Sequence, residues 1–173
     1  MRGLFILALS LLSLNTFAAG SKIDIPKYDW SWKGFFGTYD RASAQRGLKV
    51  YREVCAGCHS MDLIAYRNLA DLGFSEAHIK AIAAEYLIPD GPNDEGEMFE
   101  REAIPSDRFA NPYPNVQAAR AANNGAYPPD LSLIVKARPK GADYLKALLL
   151  GYVEAPADKE VPEGQYYNKY MDG

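Results

Sequence analysis

Residues 55–59 read Cys55-Ala56-Gly57-Cys58-His59, two cysteines separated by two residues and followed at once by a histidine. This spacing is typical of covalent haem c attachment, because it lets both sulfurs form thioether bonds to adjacent pyrrole rings from one helical turn. His59 then falls beneath the iron, and Gly57 lets the backbone pass close to the macrocycle. We therefore predict that Cys55 and Cys58 bind one haem c and that His59 is the metal ligand, the fifth ligand of its iron.

Two other kinds of site could use the same pair of cysteines. A structural zinc ion needs four ligands, and outside the motif the chain has only one further histidine, His78, and no further cysteine. A thiol–disulfide centre of the thioredoxin kind is expected within a βαβ unit, which this sequence does not predict. The residues therefore favour haem c over both alternatives.

The sixth ligand of the iron stays open at the level of sequence. Met61 lies two residues after His59, on the same side of the ring, and cannot reach across it. His78 lies on a predicted helix, where a surface or core-edge position is the more frequent outcome. Met98 lies in an acidic segment where exposure is expected, and Met171 is two residues from the end of the sequence. An iron without a sixth ligand from these residues is the remaining alternative.

The start of the chain has the features of an export signal. Arg2 provides a short positive region, residues 4–14 are almost wholly apolar, and small residues stand where a signal peptidase reads. This apolar run is too short to span a bilayer, which needs roughly 20 residues. We therefore expect residues 1–18 to be a cleaved export signal peptide and residues 19–173 to form one haem domain.

Composition and charge limit the possible partners. Charged residues make up 24% and hydrophobic residues 48% of the 173 residues, which is typical of a globular domain large enough to bury a core. The formal net charge is −3, whereas a nucleic-acid surface needs a basic patch that displaces counterions from phosphates. We therefore predict no nucleic-acid partner and favour a cationic protein partner.

Apolar residues spaced three or four positions apart predict four helices, and no strand with sustained alternation is evident. Asp40 and Ser75 are the expected N-caps of the first two helices, Pro89 should end the second, and Gly125 should occupy C′ of the third. The predicted helices cover residues 41–54, 75–87, 115–123 and 142–152. The sequence therefore predicts an all-α domain with long proline-containing loops.

Acidic residues concentrate in two of these connections. Residues 85–108 carry eight carboxylates against two arginines, a local net charge of −6. Residues 154–163 add four carboxylates against one lysine. A run of charge is often only a solvated surface, so a docking surface and a solvated loop both stay open.

Four blocks of the sequence carry a family resemblance: residues 47–61 (GLKVYREVCAGCHSM), 66–69 (YRNL), 118–132 (AARAANNGAYPPDLS) and 163–168 (EGQYYN). With these blocks the chain resembles the cytochrome c1 family, the haem c subunits of the quinol:cytochrome c oxidoreductase, respiratory complex III. The similarity extends over nearly all of the chain after the export signal, and the second and third blocks are far more specific than the haem motif alone.

The resemblance implies a fold and a function. The fold is a cytochrome c-like helical haem domain with long loop insertions, at the periplasmic face of the inner membrane or in the mitochondrial intermembrane space. The function is one-electron transfer by covalently bound haem c, from a Rieske iron-sulfur protein to a soluble basic cytochrome c, beside cytochrome b in complex III. On this basis the chain is an electron-transfer subunit rather than an enzyme on its own.

The resemblance also assigns site residues. An arginine at the place of Arg120 is expected to pair with a haem propionate, since a buried carboxylate needs a charged partner. The alternative for Arg120 is a solvated arginine on a helix. Tyr127, Pro128 and Pro129 are expected to line the haem edge.

The sequence departs from the family pattern after the last block. In relatives this block is followed by a turn, then by Ile-Ala-Met-Pro, whose methionine is the sixth ligand, and later by a C-terminal membrane helix. Here only five residues follow Asn168, and Met171 comes too early to be that ligand. We therefore expect the axial-ligand loop and the membrane anchor to be missing from this chain.

Two other functions stand beside the complex III subunit. One is a free soluble periplasmic cytochrome c that carries electrons, and the other is a haem-based gas or redox sensor. A minimal carrier needs neither the aromatic segment 21–39 nor the acidic segment 85–108, and a sensor needs an iron that is five-coordinate by design. The sequence therefore favours the subunit.

Overall fold

The computed structural model describes residues 23–171, so the predicted export signal lies outside the described residues. Most of the regular structure is helical, which confirms the predicted helical class. The fold also contains one two-stranded hairpin within the described residues. Within the described range, no helix combines the length and the apolar character that a membrane crossing requires. The elements are α1 (Arg41–Glu53), α2 (Glu76–Ala84), β1 (Leu87–Asp90), β2 (Phe99–Glu102), α3 (Val116–Ala122), α4 (Ile134–Ala137) and α5 (Ala142–Leu150), with 3-10 segments at Cys55–Gly57 and Tyr66–Leu72.

The first two helices begin where the sequence predicts. The Asp40 side chain accepts the Ser43 N–H at 3.2 Å, and the Ser75 side chain accepts the His78 N–H at 3.3 Å. Each cap satisfies a backbone donor that has no partner inside the helix. The second helix, however, ends at Ala84, earlier than the predicted residue 87.

The end of α3 differs from the prediction by one residue. The left-handed residue directly after the C-cap is Asn124, with φ of 51°, and Gly125 follows it with φ of 85°. The Gly125 N–H donates to the Arg120 carbonyl at 2.8 Å, which closes the helix end. Asparagine tolerates the left-handed region better than most residues, and it therefore occupies the position that the sequence analysis gave to glycine.

Residues 85–108 are not a plain loop, and the prediction of no strand was wrong here. Strands β1 and β2 pair antiparallel, with Leu87 opposite Glu102 and Asp90 opposite Phe99. Each strand has only four residues, too few for an alternating pattern to stand out in the sequence. The chain leaves α2 early because Leu87 begins this hairpin.

Side-chain bonds hold the hairpin in shape. Arg101 pairs with Asp90 and, at 2.7 Å, with Asp107, so one guanidinium joins both strands to the segment that follows them. The Asn93 side chain accepts two backbone N–H groups of the turn. Part of the predicted acidic charge therefore stabilises the fold.

The hydrophobic core lies between the Tyr66–Leu72 segment, α2 and the residues after β2. Tyr66 is only 2% exposed, and its ring packs against Phe109 at 4.8 Å and Tyr86 at 5.6 Å between centroids. Half-buried Leu48 and Tyr51 of α1 pack against the same cluster. The buried members are Tyr66, Leu69, Ile79, Ala83, Ala103 and Phe109. The core therefore fixes α1, the helix that leads into the cysteine motif.

The end of the described chain is tied to α5. Asn168, 4% exposed, donates to the Leu148 carbonyl at 2.7 Å and accepts the Tyr170 N–H at 3.0 Å. A Cβ at Gly151 would lie 2.4 Å from the Asn168 side-chain oxygen, so only glycine fits there. The block 163–168 therefore contains the residue that caps the C-terminal end of this helix.

The aromatic segment near the start of the described chain is irregular and packs on α5 through Asp143. The Asp143 carboxylate accepts Trp30 Nε1–H at 2.6 Å, the Tyr28 N–H at 3.2 Å and Lys33 Nζ–H at 3.4 Å. Lys146 lies 4.3 Å from the centroid of the Tyr28 ring, within cation–π range. One carboxylate and one ammonium on the same helix therefore hold the segment.

Acidification should release this segment. The hydrogen bond from Trp30, supported by those from Tyr28 and Lys33, holds the pKa of Asp143 below its usual value. A carboxyl whose pKa is lower in the folded chain stabilises it above the ordinary pKa near 4, and this contribution is lost as the pH falls below that value. We expect the near-ultraviolet circular dichroism of Trp30 to fade over that range.

Asp143→Asn should weaken the same dichroic signal already at pH 7, whereas Asp158→Asn, an exposed acid in the C-terminal acidic stretch, should leave it unchanged. An Asp143→Asn protein with the parent's signal and the parent's acid transition would show that the carboxylate does not hold the segment.

Candidate functional site

The cysteine motif sits directly at the end of α1. The helix tightens into a 3-10 turn, Cys55–Gly57, in which the Cys58 and His59 N–H groups both donate to the Cys55 carbonyl, at 3.0 and 2.8 Å. Both thiols are free, with Cys55 half-buried and Cys58 exposed. The turn therefore presents two thiols and the following imidazole from one rigid piece of backbone.

One nitrogen of the His59 ring, Nδ1, makes a hydrogen bond to the protein. Its Nδ1 lies 2.8 Å from the Pro129 carbonyl oxygen. A carbonyl can only accept, so Nδ1 carries a proton, and in the neutral imidazole Nε2 then carries the lone pair. Metal-binding histidines are commonly oriented in this way, by a hydrogen bond from the nitrogen that does not bind the metal. The arrangement therefore prepares Nε2 as a ligand.

Tyr51 supports the motif from α1, a role that no sequence motif predicted. Its hydroxyl donates to the His59 carbonyl at 3.1 Å, and its ring stacks on Phe109. Burial, together with the nearby charge of Asp130, raises the pKa of Tyr51 to about 12, so its hydroxyl remains a donor. The only sequence feature that could have indicated this contact is the position of Tyr51 on the apolar face of α1, eight residues before His59.

The three predicted haem-edge residues do come close to the motif. Pro129 supplies the carbonyl that accepts from His59. Tyr127 and Pro128 line a cleft of about 130 Å³ together with Cys58. The cleft continues to the buried Ala119 of α3. The structure therefore brings the block 118–132 against the cysteine motif.

Arg120 lies on α3, and its side chain is engaged with its own helix end. Its Nη1 donates to the Gly125 carbonyl at 2.7 Å, and the residue is exposed. None of the salt bridges found within the described range involves Arg120. It stabilises the turn that leads into Tyr127, and its predicted pairing with a propionate stays a prediction.

The candidate sixth ligands are scattered. Met61 is half-buried and packs against the hydrophobic core, and His78 is exposed on α2. Met98 is 66% exposed on the hairpin, as expected, and Met171 is 49% exposed. In the part of the chain that the structure describes, no three His, Cys, Asp or Glu side chains form a metal-binding group. Among the candidate ligands, the His59 imidazole is the one whose ring orientation is fixed by a hydrogen bond, that of Nδ1 to the Pro129 carbonyl.

Comparison with known proteins decides the family. The profile of the Cytochrome C1 family matches residues 30–173, which is most of the chain. The chain belongs to the cytochrome c1 family.

Relatives in this family come from mitochondria and bacteria. The chain is 52% identical to "Cytochrome c1 1, heme protein, mitochondrial" of Arabidopsis thaliana, over 94% of this chain and 54% of that protein. It is 52% identical to "Cytochrome b-c1 complex catalytic subunit, mitochondrial" of Candida albicans, over 90% of this chain and 54% of that protein. It is 47% identical to "Cytochrome c1" of Rhodospirillum rubrum, over 87% of this chain and 61% of that protein. The chain thus spans between half and two thirds of the length of these cytochrome c1 relatives.

Proposed function

We propose that this chain binds one haem c through Cys55, Cys58 and His59 and serves in electron transfer within the cytochrome b-c1 complex. The observation that carries the proposal is the His59 imidazole, fixed through Nδ1 by Pro129 and placed one residue after a free thiol. The names of the relatives, a heme protein and a catalytic subunit of the b-c1 complex, support the same function.

The residues present fit the group. Two free thiols separated by two residues are the donors that thioether attachment needs, and an imidazole with a free Nε2 is a common axial ligand. When bound, haem c supplies a one-electron iron couple. The chain's own residues attach the group, orient its ligand and, through Tyr127 and Pro128, cover one side of the cleft beside Cys58.

The partners belong to the proposal as well. We infer a Rieske iron-sulfur protein as electron donor, a soluble basic cytochrome c as acceptor, and cytochrome b as a neighbour in the complex. The name "Cytochrome b/c1" of a Bradyrhizobium diazoefficiens relative, 49% identical over 96% of this chain, supports the association with cytochrome b. We further infer placement at the periplasmic face of the inner membrane or at its equivalent in mitochondria, with membrane attachment through a C-terminal helix that these residues do not include.

The hairpin offers a surface for the basic acceptor. Of the acids in residues 85–108, Glu85 pairs with Arg52, and Asp90 and Asp107 pair with Arg101. The remaining carboxylates are exposed and take part in none of these bonds: Asp94, Glu95, Glu97, Glu100 and Glu102. The register of the strands places Glu100 and Glu102 on one face of the hairpin. This unneutralised charge suits a weak and fast encounter with a cationic protein.

Covalent attachment is the first testable consequence. The parent chain, produced with the haem-attachment machinery of an exporting host, should keep its haem through extraction with acidified acetone, because thioether bonds do not dissociate as axial bonds do. Cys55→Ala combined with Cys58→Ala should release all of it. His78→Ala, the comparison variant, should behave as the parent does. Release of the haem from the parent would contradict the proposal.

The propionate assignment of Arg120 can be read from the reduction potential. Removing a cation beside the haem disfavours the ferrous state, so Arg120→Gln should lower the potential by tens of millivolts, where about 59 mV corresponds to a tenfold change for one electron. Arg138→Gln, at the end of α4, is the matched control because that residue is also an exposed arginine. A drop in Arg138→Gln without one in Arg120→Gln would move the assignment to Arg138.

Docking on the hairpin can be read from salt dependence. Rising ionic strength should slow second-order reduction of a basic cytochrome c severalfold, because screening over a Debye length of about 8 Å weakens steering. Glu-to-Gln changes at 95, 97, 100 and 102 together should flatten that dependence and leave the haem spectrum unchanged. The matched control neutralises the four acids of residues 154–163. A salt slope flattened by the control set alone would place docking on that second stretch instead.

A further inference from the structure

Asp130 joins the two segments that meet at His59. Its Oδ2 accepts the Ser60 hydroxyl at 2.9 Å and the Asp62 N–H at 2.7 Å, while its Oδ1 accepts the Ser132 N–H at 2.9 Å. Ser60 directly follows the cysteine motif and Asp62 lies two residues later, whereas Ser132 lies in Asp130's own loop. One carboxylate thus fastens the loop that contains Pro129 to the residues beside His59.

The loop needs such an anchor because of its prolines. Pro128 and Pro129 have no backbone N–H, so neither residue can donate a hydrogen bond that would fix its backbone. In the described chain, the next backbone N–H that donates to a backbone carbonyl is that of Leu131. It donates to the Ser60 carbonyl at 2.9 Å. The Ser132 hydroxyl adds one bond, from the Leu63 N–H at 3.0 Å. The position of the Pro129 carbonyl therefore depends on the residues after it, chiefly on Asp130.

The carboxylate is ionised at neutral pH. Partial burial alone would raise its pKa, but the hydrogen bonds from Asp62, Ser132 and Ser60 outweigh burial and hold the pKa of Asp130 below its usual value. Hydrogen bonds to an ionised acceptor are about twice as strong as those between neutral groups. Asp130 therefore holds both segments more firmly than an amide of the same shape would.

We propose that Asp130 is the positioning residue for the His59 ligand: by fastening the Pro129 carbonyl it sets the Nδ1–H tautomer and the ring orientation of His59. This inference rests on the proposed function, in which Nε2 binds iron. Asp130 does not touch the imidazole itself, because its hydrogen bonds go to Ser60, Asp62 and Ser132. Its loss should loosen the Nδ1–H···O bond and leave the covalent attachment in place.

The test follows the exchange of the His59 Nδ1 proton with solvent, by nuclear magnetic resonance of the reduced, haem-loaded protein. Asp130→Asn keeps the size of the side chain but replaces one acceptor oxygen by a donor, and should speed exchange about tenfold. Ser60→Ala removes one bond and keeps the charge, so it should speed exchange less. This second variant separates anchoring from a purely electrostatic effect of Asp130.

Asp107→Asn is the matched control. Asp107 also accepts one backbone N–H, from Ile104, and side-chain donors, those of Arg101, but it lies beside the hairpin. It should leave exchange at His59 unchanged. Equal acceleration by Asp107→Asn would show general destabilisation and would overturn the inference.

The outcomes separate the two proposals. A parent without covalent haem on a denaturing gel would overturn the proposed function and this inference with it. A haem-bearing Ser60→Ala protein that exchanges at the parent's rate would overturn the inference alone, whether or not Asp130→Asn exchanges faster. If Asp130→Asn fails to accumulate with haem, Ser60→Ala decides by itself, since faster exchange supports anchoring and unchanged exchange overturns it.

Discussion

The hydrogen bond between His59 Nδ1 and the Pro129 carbonyl joins positions 70 residues apart, and the candidate site depends on it. Without this bond the imidazole would be free to turn, and either ring nitrogen could carry the proton. The bond requires the cysteine motif to be held at the end of α1 and the Pro129 loop to be held against it. The core beneath α1 meets the first requirement, and Asp130 meets the second.

The sequence predicted those parts of the candidate site whose residues lie close together along the chain. Cys55, Cys58 and His59 lie within five residues, so their spacing alone indicates one attachment site. Asp130 and Tyr51 were given no role because their contacts carry no local pattern. Asp130 reaches Ser60 across 70 positions, and Tyr51 reaches a backbone carbonyl, which any residue type provides. Such contacts exist only once the core has brought the segments together.

The sequence predicted the helices correctly where apolar residues recur at helical spacing or a capping side chain marks the helix start. Helices α1, α2, α3 and α5 each carry a spaced apolar face or a capping side chain, and all four form. The hairpin was missed because its strands are too short to show a period and because its stability comes from Arg101, whose partners cannot be chosen from eight nearby acids by sequence alone. The same pairing separates the acids that hold the fold from those that remain exposed and unpaired within the described residues.

We infer that His59 binds the haem iron through Nε2 while the Pro129 carbonyl holds Nδ1. A crystal structure of the haem-loaded protein would show both contacts at once. We expect iron bonded to His59 Nε2, with Nδ1 still within hydrogen-bond distance of the Pro129 carbonyl oxygen and both cysteine sulfurs bonded to the porphyrin. Iron bonded to Nδ1, or a His59 ring turned away from Pro129 with another side chain on the proximal face, would contradict it.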